Sequence, residues 1–298
     1  MKKSVLIVLS LFFSTLEAME FRIGSANFNW SAGMTYMKTD FVIDADLYTI
    51  SQTHTNISDT KFYYFYNADM YKSDYIDQIT DLITTPITYD FPFFGSFNDA
   101  VSKYTSVPVP SDYRVRGFDI NFGAGYDILS NDKAYIGLGI NNGLTLLGMK
   151  MKNLKKSVEV VYDLLDATET SISTYKVGPI VNFGYGFSKN FSFFGSFSLG
   201  YQNGSMENEW IASSIDIDGK YTILDVGIRY EIYRDKNRDL GWIKIKPSYF
   251  VTLGYGYKKW DMNDAKIDAF NIVQITSGGT FTNSFDTDYF YIGAGVNF

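Results

Sequence analysis

The final stretch of the sequence, Asp288-Tyr-Phe-Tyr-Ile-Gly-Ala-Gly-Val-Asn-Phe298, alternates between two kinds of side chain. A β-strand points successive side chains to opposite faces, so a period of two in the sequence separates the two faces of a strand. One face of this strand is small or polar and consists of Tyr, Gly and Asn. The other face is apolar and consists of Phe290, Ile292, Ala294, Val296 and Phe298.

Seven further stretches show the same alternation. All seven are longer than the five or six residues usual in soluble sheets, and they suit a membrane strand, which needs roughly 9–11 residues. Their second face carries Gly, Ser, Asn and isolated charges, which cannot form a soluble core but suit the polar interior of a narrow barrel. In the stretch 28–36, Phe28 and Trp30 belong to the apolar set. The seven stretches are 28–36, 118–128, 136–146, 175–187, 191–201, 222–232 and 243–257.

The composition supports a membrane barrel. The chain has 24 Tyr and 25 Phe among 298 residues, an abundance typical of the aromatic girdles at the two membrane interfaces. It has no Cys, which excludes a disulfide framework. The acidic balance, with a pI near 4.8, argues against nucleic acid as a partner. We see neither a linker nor a second compositional regime, so we expect one domain.

The beginning of the chain has the features of a secretory signal. Lys2 and Lys3 precede the apolar run from Val5 to Phe13, and Ala18 offers a small residue for cleavage before Met19. The apolar run is too short for a transmembrane helix, which needs about 20 residues. We therefore expect a signal peptide at 1–18 and a barrel domain at 19–298.

The aromatic terminal strand and the repeated alternation resemble the small Gram-negative outer-membrane β-barrels, typified by the OmpA membrane domain, OmpX and the opacity surface proteins. The resemblance implies an all-β, transmembrane, antiparallel up-and-down barrel in the bacterial outer membrane. It also implies that the barrel-assembly machinery reads the terminal strand during insertion, and that outer-membrane lipid and lipopolysaccharide are its partners. A monomer is favoured.

The spacing of the strands sets the expected count and orientation. Short and long connections alternate strictly, as in barrels with short periplasmic turns and long outer loops. We favour eight strands, with 39–112 as a long first outer segment. Ten strands stay open, because 41–47 and 62–70 also alternate. Asp74 to Ile83 carries Ile at helical spacing; we expect an ordinary outer loop there, with a short helix over the barrel mouth as the alternative. The short links are 129–133, 188–190 and 234–241, and the other long ones are 150–172, 204–218 and 259–286.

The most specific prediction of a site concerns the charged side chains that face inward. If Glu231 opposes Lys244 across a turn, the two make a cross-strand pair close to Arg229. Unpaired charges in a narrow interior are costly, and pairing offsets much of that cost. We predict a packed network that blocks the lumen, with a conducting pore as the rival. The network residues are Asp225, Arg229, Glu231, Lys244 and Lys246.

A second candidate site is a basic cluster beyond the outer end of a strand, where lipopolysaccharide phosphates would lie. Basic residues near anionic headgroups contribute about 1 kcal/mol each. This predicts a lipopolysaccharide contact formed by Lys150, Lys152, Lys155 and Lys156.

Enzymatic chemistry has little support in the sequence. The single histidine, His54, lies in a polar run with no defined partner. With no Cys and one His, a zinc or other transition-metal site lacks ligands, and we expect no cofactor. We therefore predict a non-enzymatic barrel with a structural or surface-interaction role. A narrow passive channel is the first alternative, and an outer-membrane hydrolase is the second.

Overall fold

The computed structural model describes residues 18–34, 37–54, 61–84, 107–131, 133–153, 169–208, 214–233, 238–239, 244–245, 248–269, 273–276 and 281–297. Its regular structure in these ranges is entirely β. The strands are β1 Ala18–Met34, β2 Met37–His54, β3 Phe62–Lys72, β4 Ile76–Thr84, β5 Val107–Ser130, β6 Ala134–Asn153, β7 Glu169–Gly186, β8 Phe191–Asn208, β9 Ser214–Tyr233, β10 Arg238–Asp239, β11 Lys244–Ile245, β12 Ser248–Ala269, β13 Val273–Thr276 and β14 Phe281–Asn297.

The main sheet closes on itself as an antiparallel up-and-down barrel. β1 pairs with both β2 and β14, so the described sheet has no open edge at this seam. Closure matters because hydrocarbon offers no partner to an unpaired backbone N–H or C=O. We call each wall position of the barrel a stave, and β3 and β4 together form one stave. The staves follow one another in the order β1, β2, β3 with β4, β5, β6, β7, β8, β9, β12 and β14.

The barrel therefore has ten staves. The preferred count of eight is wrong, and the ten-strand alternative is confirmed. The two additional staves come from within 39–112: β2 pairs with β1, and β3 followed by β4 fills the space between β2 and β5. The segment Asp74 to Ile83, predicted as an ordinary outer loop with a short helix as the alternative, largely forms β4, because β2 and β5 supply ladder partners on either side.

The two ends of the barrel differ in their connections. We call the end where β1 begins and β14 finishes the terminal end, and the opposite end the loop end. The short connections from β5 to β6 and from β7 to β8 lie at the terminal end. The β1–β2 connection at the loop end is also short, since Met34 pairs with Met37. The predicted strict alternation of short and long connections therefore fails at the first loop-end connection.

A belt of large apolar side chains surrounds the half of the barrel nearer the terminal end. Phe290 and Ile292 on β14 are each 67% exposed, and Ile140 on β6 is 59% exposed. On β14, exposed Phe290 and Ile292 belong to the apolar face predicted from alternation. Tyr and Phe are frequent near both of its margins, as expected for interfacial girdles. Belt residues from the other staves include Phe21, Ile23, Ile50, Phe118, Phe122, Leu138, Val177, Phe197, Leu199, Ile228, Val251 and Leu253.

The polarity of the wall inverts nearer the loop end. On the outer face of β1, the apolar pair Phe21 and Ile23 gives way to Ser25, Asn27 and Asn29. On β2 and β14 the outer face changes in the same direction to acidic residues, and the interior becomes apolar. Such a wall suits water outside and a packed core inside. The acidic residues are Asp44, Asp46, Asp286 and Asp288.

The inversion corrects the assignment of the first strand. Phe28 is 1% exposed and Trp30 is 7% exposed, because both point into the barrel. Trp30 stacks on Phe285 with ring centroids 4.9 Å apart, and Phe28 meets Tyr71 edge-on at 4.8 Å. The apolar set of this strand is therefore a core face, since this part of β1 lies beyond the apolar belt.

None of the described residues form a helix that is long and apolar enough to cross a membrane.

Candidate functional site

A cluster of four buried charges lies in the middle of the lumen. Lys258 on β12 forms ion pairs with Asp69 on β3 and with Asp119 on β5, the second at 2.6 Å. Lys176 on β7 pairs with the other oxygen of Asp119. All four side chains are at most 2% exposed. With two cations and two anions, the cluster is electrically balanced.

Neutral donors complete the coordination of the two carboxylates. Thr49 donates to Asp69 Oδ1 at 2.5 Å. Thr145 donates to Asp119 Oδ1 at 2.7 Å, and Asn121 donates to Asp119 Oδ2 at 2.9 Å. Buried ion pairs offset their desolvation penalty only when further hydrogen bonds satisfy the remaining lone pairs. This cluster meets that condition, so we expect it to be rigid.

The cluster spans the lumen. β5 and β12 are five staves apart in either direction around the ten-stave ring, so the Lys258–Asp119 pair joins opposite walls. Trp260 on β12 donates through Nε1 to Thr145 on β6 at 3.0 Å, which adds a second bridge. On the loop-end side an apolar core includes Phe28, Tyr71, Trp260, Met262 and Phe285. Paired charges and apolar packing therefore fill this part of the lumen.

A second charge cluster lies nearer the terminal end. Arg22 on β1 bridges Glu20 at 3.0 Å and Asp225 on β9 at 2.7 Å. Tyr291 on β14 donates to Asp225 Oδ1 at 2.6 Å. Thr252 donates to Glu20 Oε1, and the Arg22 guanidinium lies over the Tyr291 ring at 4.4 Å. Both carboxylates are thus engaged by Arg22 and by neutral donors.

A cavity of about 640 Å³ opens at the terminal end, and Glu20, Arg22 and Asp225 of the second cluster line its wall. Its lining reaches the turn residues Asn131 and Lys133 at the terminal end, and Lys258 and Tyr289 at its inner end. Arg229 on β9 lines the cavity. The lumen therefore holds a blind polar pocket that faces the terminal end, with the central charge cluster as its floor.

The structure brings together only part of the charge network predicted from the sequence. Asp225 and Arg229 both line the cavity, and Glu231 shares their inward parity. The predicted opposition of Glu231 and Lys244 does not occur. In the β9–β12 ladder Glu231 opposes Phe250.

The two predicted lysines lie elsewhere. Lys244 opposes Asp239 in the short β10–β11 ribbon, outside the barrel sheet. Lys246 lies outside the described residues. The register differs because the chain between β9 and β12 forms this separate ribbon instead of continuing the strand.

The remaining predicted residues occupy the wall and its ends. Lys150 pairs with Glu169 of β7 at 3.5 Å, with its side chain 32% exposed. The backbone of Lys152 opposes Asp112, whereas Lys155 and Lys156 lie outside the described residues. On β14, Phe290, Ile292 and Ala294 face outward and exposed and Val296 is partly exposed, while Phe298 lies outside the described residues.

The single histidine lies far from the loop end. The backbone of His54 ends β2 at the terminal end and pairs with Tyr64. Within the described ranges, no group of three or more His, Asp or Glu side chains is arranged to hold a metal ion.

Sequence reasoning missed most of the central cluster. Asp119 has inward parity in the alternating stretch 118–128, yet nothing in the sequence links it to Lys176 and Lys258. These two lysines also have inward parity. Lys176 lies between the exposed Tyr175 and Val177, whereas Lys258 is followed by Lys259, whose side chain is 41% exposed. A charge at an inward position in the middle of an apolar strand is the signal that could have found Lys176.

Comparisons with known proteins identify the fold alone. No family model and no curated protein matches the sequence. The outer-membrane protease OmpT of Escherichia coli superposes with a TM-score of 0.54 at 9% identity, over 95% of this chain and 97% of OmpT. Neisserial surface protein A gives a TM-score of 0.29 at 10% identity, over 93% and 97% of the two chains. Ail of Yersinia pestis gives 0.30 at 9% identity, over 95% and 100%.

The closed antiparallel barrel, its apolar belt and the likeness to the OmpT fold define the class of this chain. It is an outer-membrane β-barrel protein.

Proposed function

We propose that this barrel is a non-conducting, non-enzymatic outer-membrane protein with a structural or surface-interaction role. The observation that carries the proposal is the Lys258 bridge between opposite walls, backed by the apolar core. A solute crossing the lumen would have to break buried ion pairs and displace packed aromatic rings. Breaking the ion pairs is energetically unfavourable because the buried charges would lose their partners. Displacing the rings would disrupt the packed core.

The inverted half of the barrel supports a surface role. Its polar outer wall and apolar core make it stable in water, so it can project beyond the membrane. The connections 85–106 and 154–168 join strands at this end. The tight turns at the terminal end favour a periplasmic position for that end. In that orientation, the inverted half of the barrel carries both connections on the side of the cell exterior.

Conductance measurements test the closed lumen. The purified chain, reconstituted in planar bilayers, should give no stable current steps. Stable pore-sized steps from the unmodified chain would favour the alternative of a narrow passive channel.

A surface role predicts that replacing 85–106 with a short Gly-Ser linker abolishes attachment of bacteria that display the chain. Replacing the terminal-end turn 188–190 with a similar linker is the matched control, because it changes the other end of the barrel. Equal attachment of both variants and the parent would contradict a surface-interaction role for 85–106.

Lipopolysaccharide is the proposed partner of the basic cluster at Lys150, Lys152, Lys155 and Lys156. Lys150 supports this, since it lies at the loop-end margin with a partly exposed side chain. Charge reversal at all four positions should reduce lipopolysaccharide co-purification. Reversal at Lys61, which is exposed at the terminal end of the barrel, should not.

An outer-membrane hydrolase is the weaker proposal. The superposed OmpT is a protease, but at this identity the likeness concerns the fold. His54 ends β2 at the terminal end, away from the connections that would meet an extracellular substrate. Peptide cleavage or fatty-acid release that is lost in His54→Ala would support the enzyme.

A further inference from the structure

The charged groups around the terminal-end cavity compensate one another. Glu20 and Asp225 both pair with Arg22. Glu20 and Glu231 both lie close enough to Arg229 to act on it electrostatically. The two guanidinium groups therefore have acidic neighbours, and they leave no free cation for an anionic ligand. A cationic ligand would in turn meet both guanidinium groups, so the neutral groups of the lining decide what the cavity can bind.

One wall of the cavity carries amide side chains from four consecutive staves. Asn67 lies on β3, Asn121 on β5, Asn141 on β6 and Asn182 on β7. Asn182 donates through Nδ2 to the hydroxyl of Tyr63 at 3.0 Å. An amide has both N–H donors and an acceptor oxygen. The binding properties of this wall therefore depend on which of these atoms are already engaged.

The central charge cluster fixes the orientation of two of these amides. The ionised Asp119 carboxylate only accepts hydrogen bonds, so the Asn121 atom at 2.9 Å from Asp119 Oδ2 must be Nδ2. Asn121 Oδ1 then faces Asn141, and the Asn141 atom at 3.4 Å from it must in turn be Nδ2. The same nitrogen donates to the hydroxyl of Tyr221 at 3.3 Å. Asn141 Oδ1 is therefore held as an acceptor.

Two acceptor oxygens of this wall are left unpaired. Asn141 is 1% exposed, and its Oδ1 has no hydrogen-bond partner among the described residues. The buried Oδ1 of Asn67 also lacks a partner in this part of the chain. A buried acceptor without a donor costs free energy, and a hydroxyl group of a ligand removes that cost. An ionised carboxylate brings no donor, so the wall favours a ligand rich in hydroxyl groups.

Aromatic rings and the size of the cavity narrow the ligand further. Phe65, Phe194 and Phe250 contribute flat apolar surface to the lining, against which the C–H faces of a sugar ring can pack. Ser192 and Ser196 add hydroxyl groups to the wall. The volume of about 640 Å³ falls within the usual range for small-molecule pockets of about 300–1,000 Å³.

We propose that the terminal-end cavity binds a neutral saccharide, whose hydroxyl groups donate to Asn67 Oδ1 and Asn141 Oδ1 and whose ring faces pack against the phenylalanines. The saccharide enters where the cavity opens, at the terminal end, and the central charge cluster prevents its passage through the lumen. Binding is therefore compatible with a closed barrel. It goes beyond the proposed structural or surface role and does not depend on it.

Calorimetric titration of the full chain tests the site, in micelles of lauryldimethylamine oxide because this detergent carries no sugar. The probes are maltose, cellobiose and N,N′-diacetylchitobiose. At least one of these neutral disaccharides should bind saturably. Sorbitol should bind at least tenfold more weakly, because it has hydroxyl groups but no ring face. No saturable binding of any of the disaccharides, or equally tight binding of sorbitol, would overturn the proposal.

Replacing the fixed acceptor tests its role. Asn141→Leu keeps the approximate size of the side chain but removes the amide. The disaccharide should then bind about five- to tenfold more weakly, the loss expected from one neutral hydrogen bond. Asn27→Leu is the matched control, because Asn27 is exposed on the outer face of β1, and it should bind like the parent. Unchanged binding in a folded Asn141→Leu variant would refute the assigned acceptor.

A space-filling variant assigns the binding to this cavity. Gly184 lines the cavity, and a Cβ placed there would meet nothing closer than 3.5 Å. Gly184→Phe should therefore abolish disaccharide binding while leaving the amide wall and the fold intact, as checked by the electrophoretic mobility of unheated protein. A folded Gly184→Phe variant that binds normally would place the disaccharide outside the cavity.

Discussion

Lys258 Nζ lies 2.6 Å from Asp119 Oδ2, although the two residues belong to strands on opposite sides of the barrel. The pair is buried, and Asp119 also holds Lys176. One carboxylate therefore contacts two lysines from distant strands. Loss of that carboxylate leaves Lys176 without its acidic partner and leaves Lys258 with Asp69 alone, which makes Asp119 the most sensitive member of the cluster.

Asp119→Asn should destabilise the barrel strongly. The amide keeps the shape of the side chain but removes the charge, and breaking a buried ion pair costs about 3–5 kcal/mol. Urea titration in lipid vesicles, followed by Trp fluorescence, should show a lower unfolding midpoint. Asp46→Asn is the control, because Asp46 is exposed on the outer face of β2. Equal midpoints for the two variants would mean that the cluster contributes little to stability.

Close packing of glycine under tyrosine gives a second prediction. A Cβ at Gly254 would lie 2.3 Å from Cζ of Tyr291, so Gly254→Ala must displace that ring. The hydrogen bond from Tyr291 to Asp225 would then be strained or lost. We expect a destabilisation of about 1–3 kcal/mol, typical of overpacking, measured by the same urea titration.

Gly184→Ala is the control for this change. It makes the same substitution on the inner face of β7, but its new Cβ would meet no atom closer than 3.5 Å. Its unfolding midpoint should stay close to that of the parent. If the two alanine variants behave alike, the tyrosine rings do not depend on the glycines beneath them.

How much of the fold and of the site could be predicted from the sequence depends on how far apart the interacting residues lie in the chain. The alternation at Phe290 and Ile292 is local, and it predicted the apolar belt correctly. The pairing of Lys258 with Asp119 depends on which staves face each other, and that depends on the stave count and the stagger of all ten strands. A sequence pattern gives the inward parity of each charge but not its partner across the lumen.

The errors on β1 and between β9 and β12 have related causes. Alternation identifies two faces but not which one meets lipid, and Phe28 and Trp30 lie where the wall has already inverted. The Glu231–Lys244 pairing assumed that β9 and β12 meet in a simple hairpin. The intervening β10–β11 ribbon shifts the register, so that Glu231 meets Phe250.

The position of the belt predicts where a charge is tolerated on the outer wall. Ile292→Lys places an ammonium group against lipid and should destabilise the barrel by about 2–4 kcal/mol if the site lies near the midplane. Ser284→Lys lies on the same face of the same strand, beyond the belt, and should change stability by at most about 1 kcal/mol. Reversible folding into vesicles measures both. A larger effect at Ser284 would contradict the proposed membrane boundary.

The absence of Cys from the sequence allows a direct test of β2 as a membrane stave. Ile50→Cys and Asp44→Cys lie on the same outer face of β2, one within the belt and one beyond it. In vesicles, a membrane-impermeant charged maleimide should label Asp44→Cys rapidly and Ile50→Cys at least tenfold more slowly, because lipid shields the thiol and disfavours its reactive thiolate. Solubilisation in urea should equalise the two rates. Equal labelling before solubilisation would place β2 outside the membrane and contradict the ten-stave barrel.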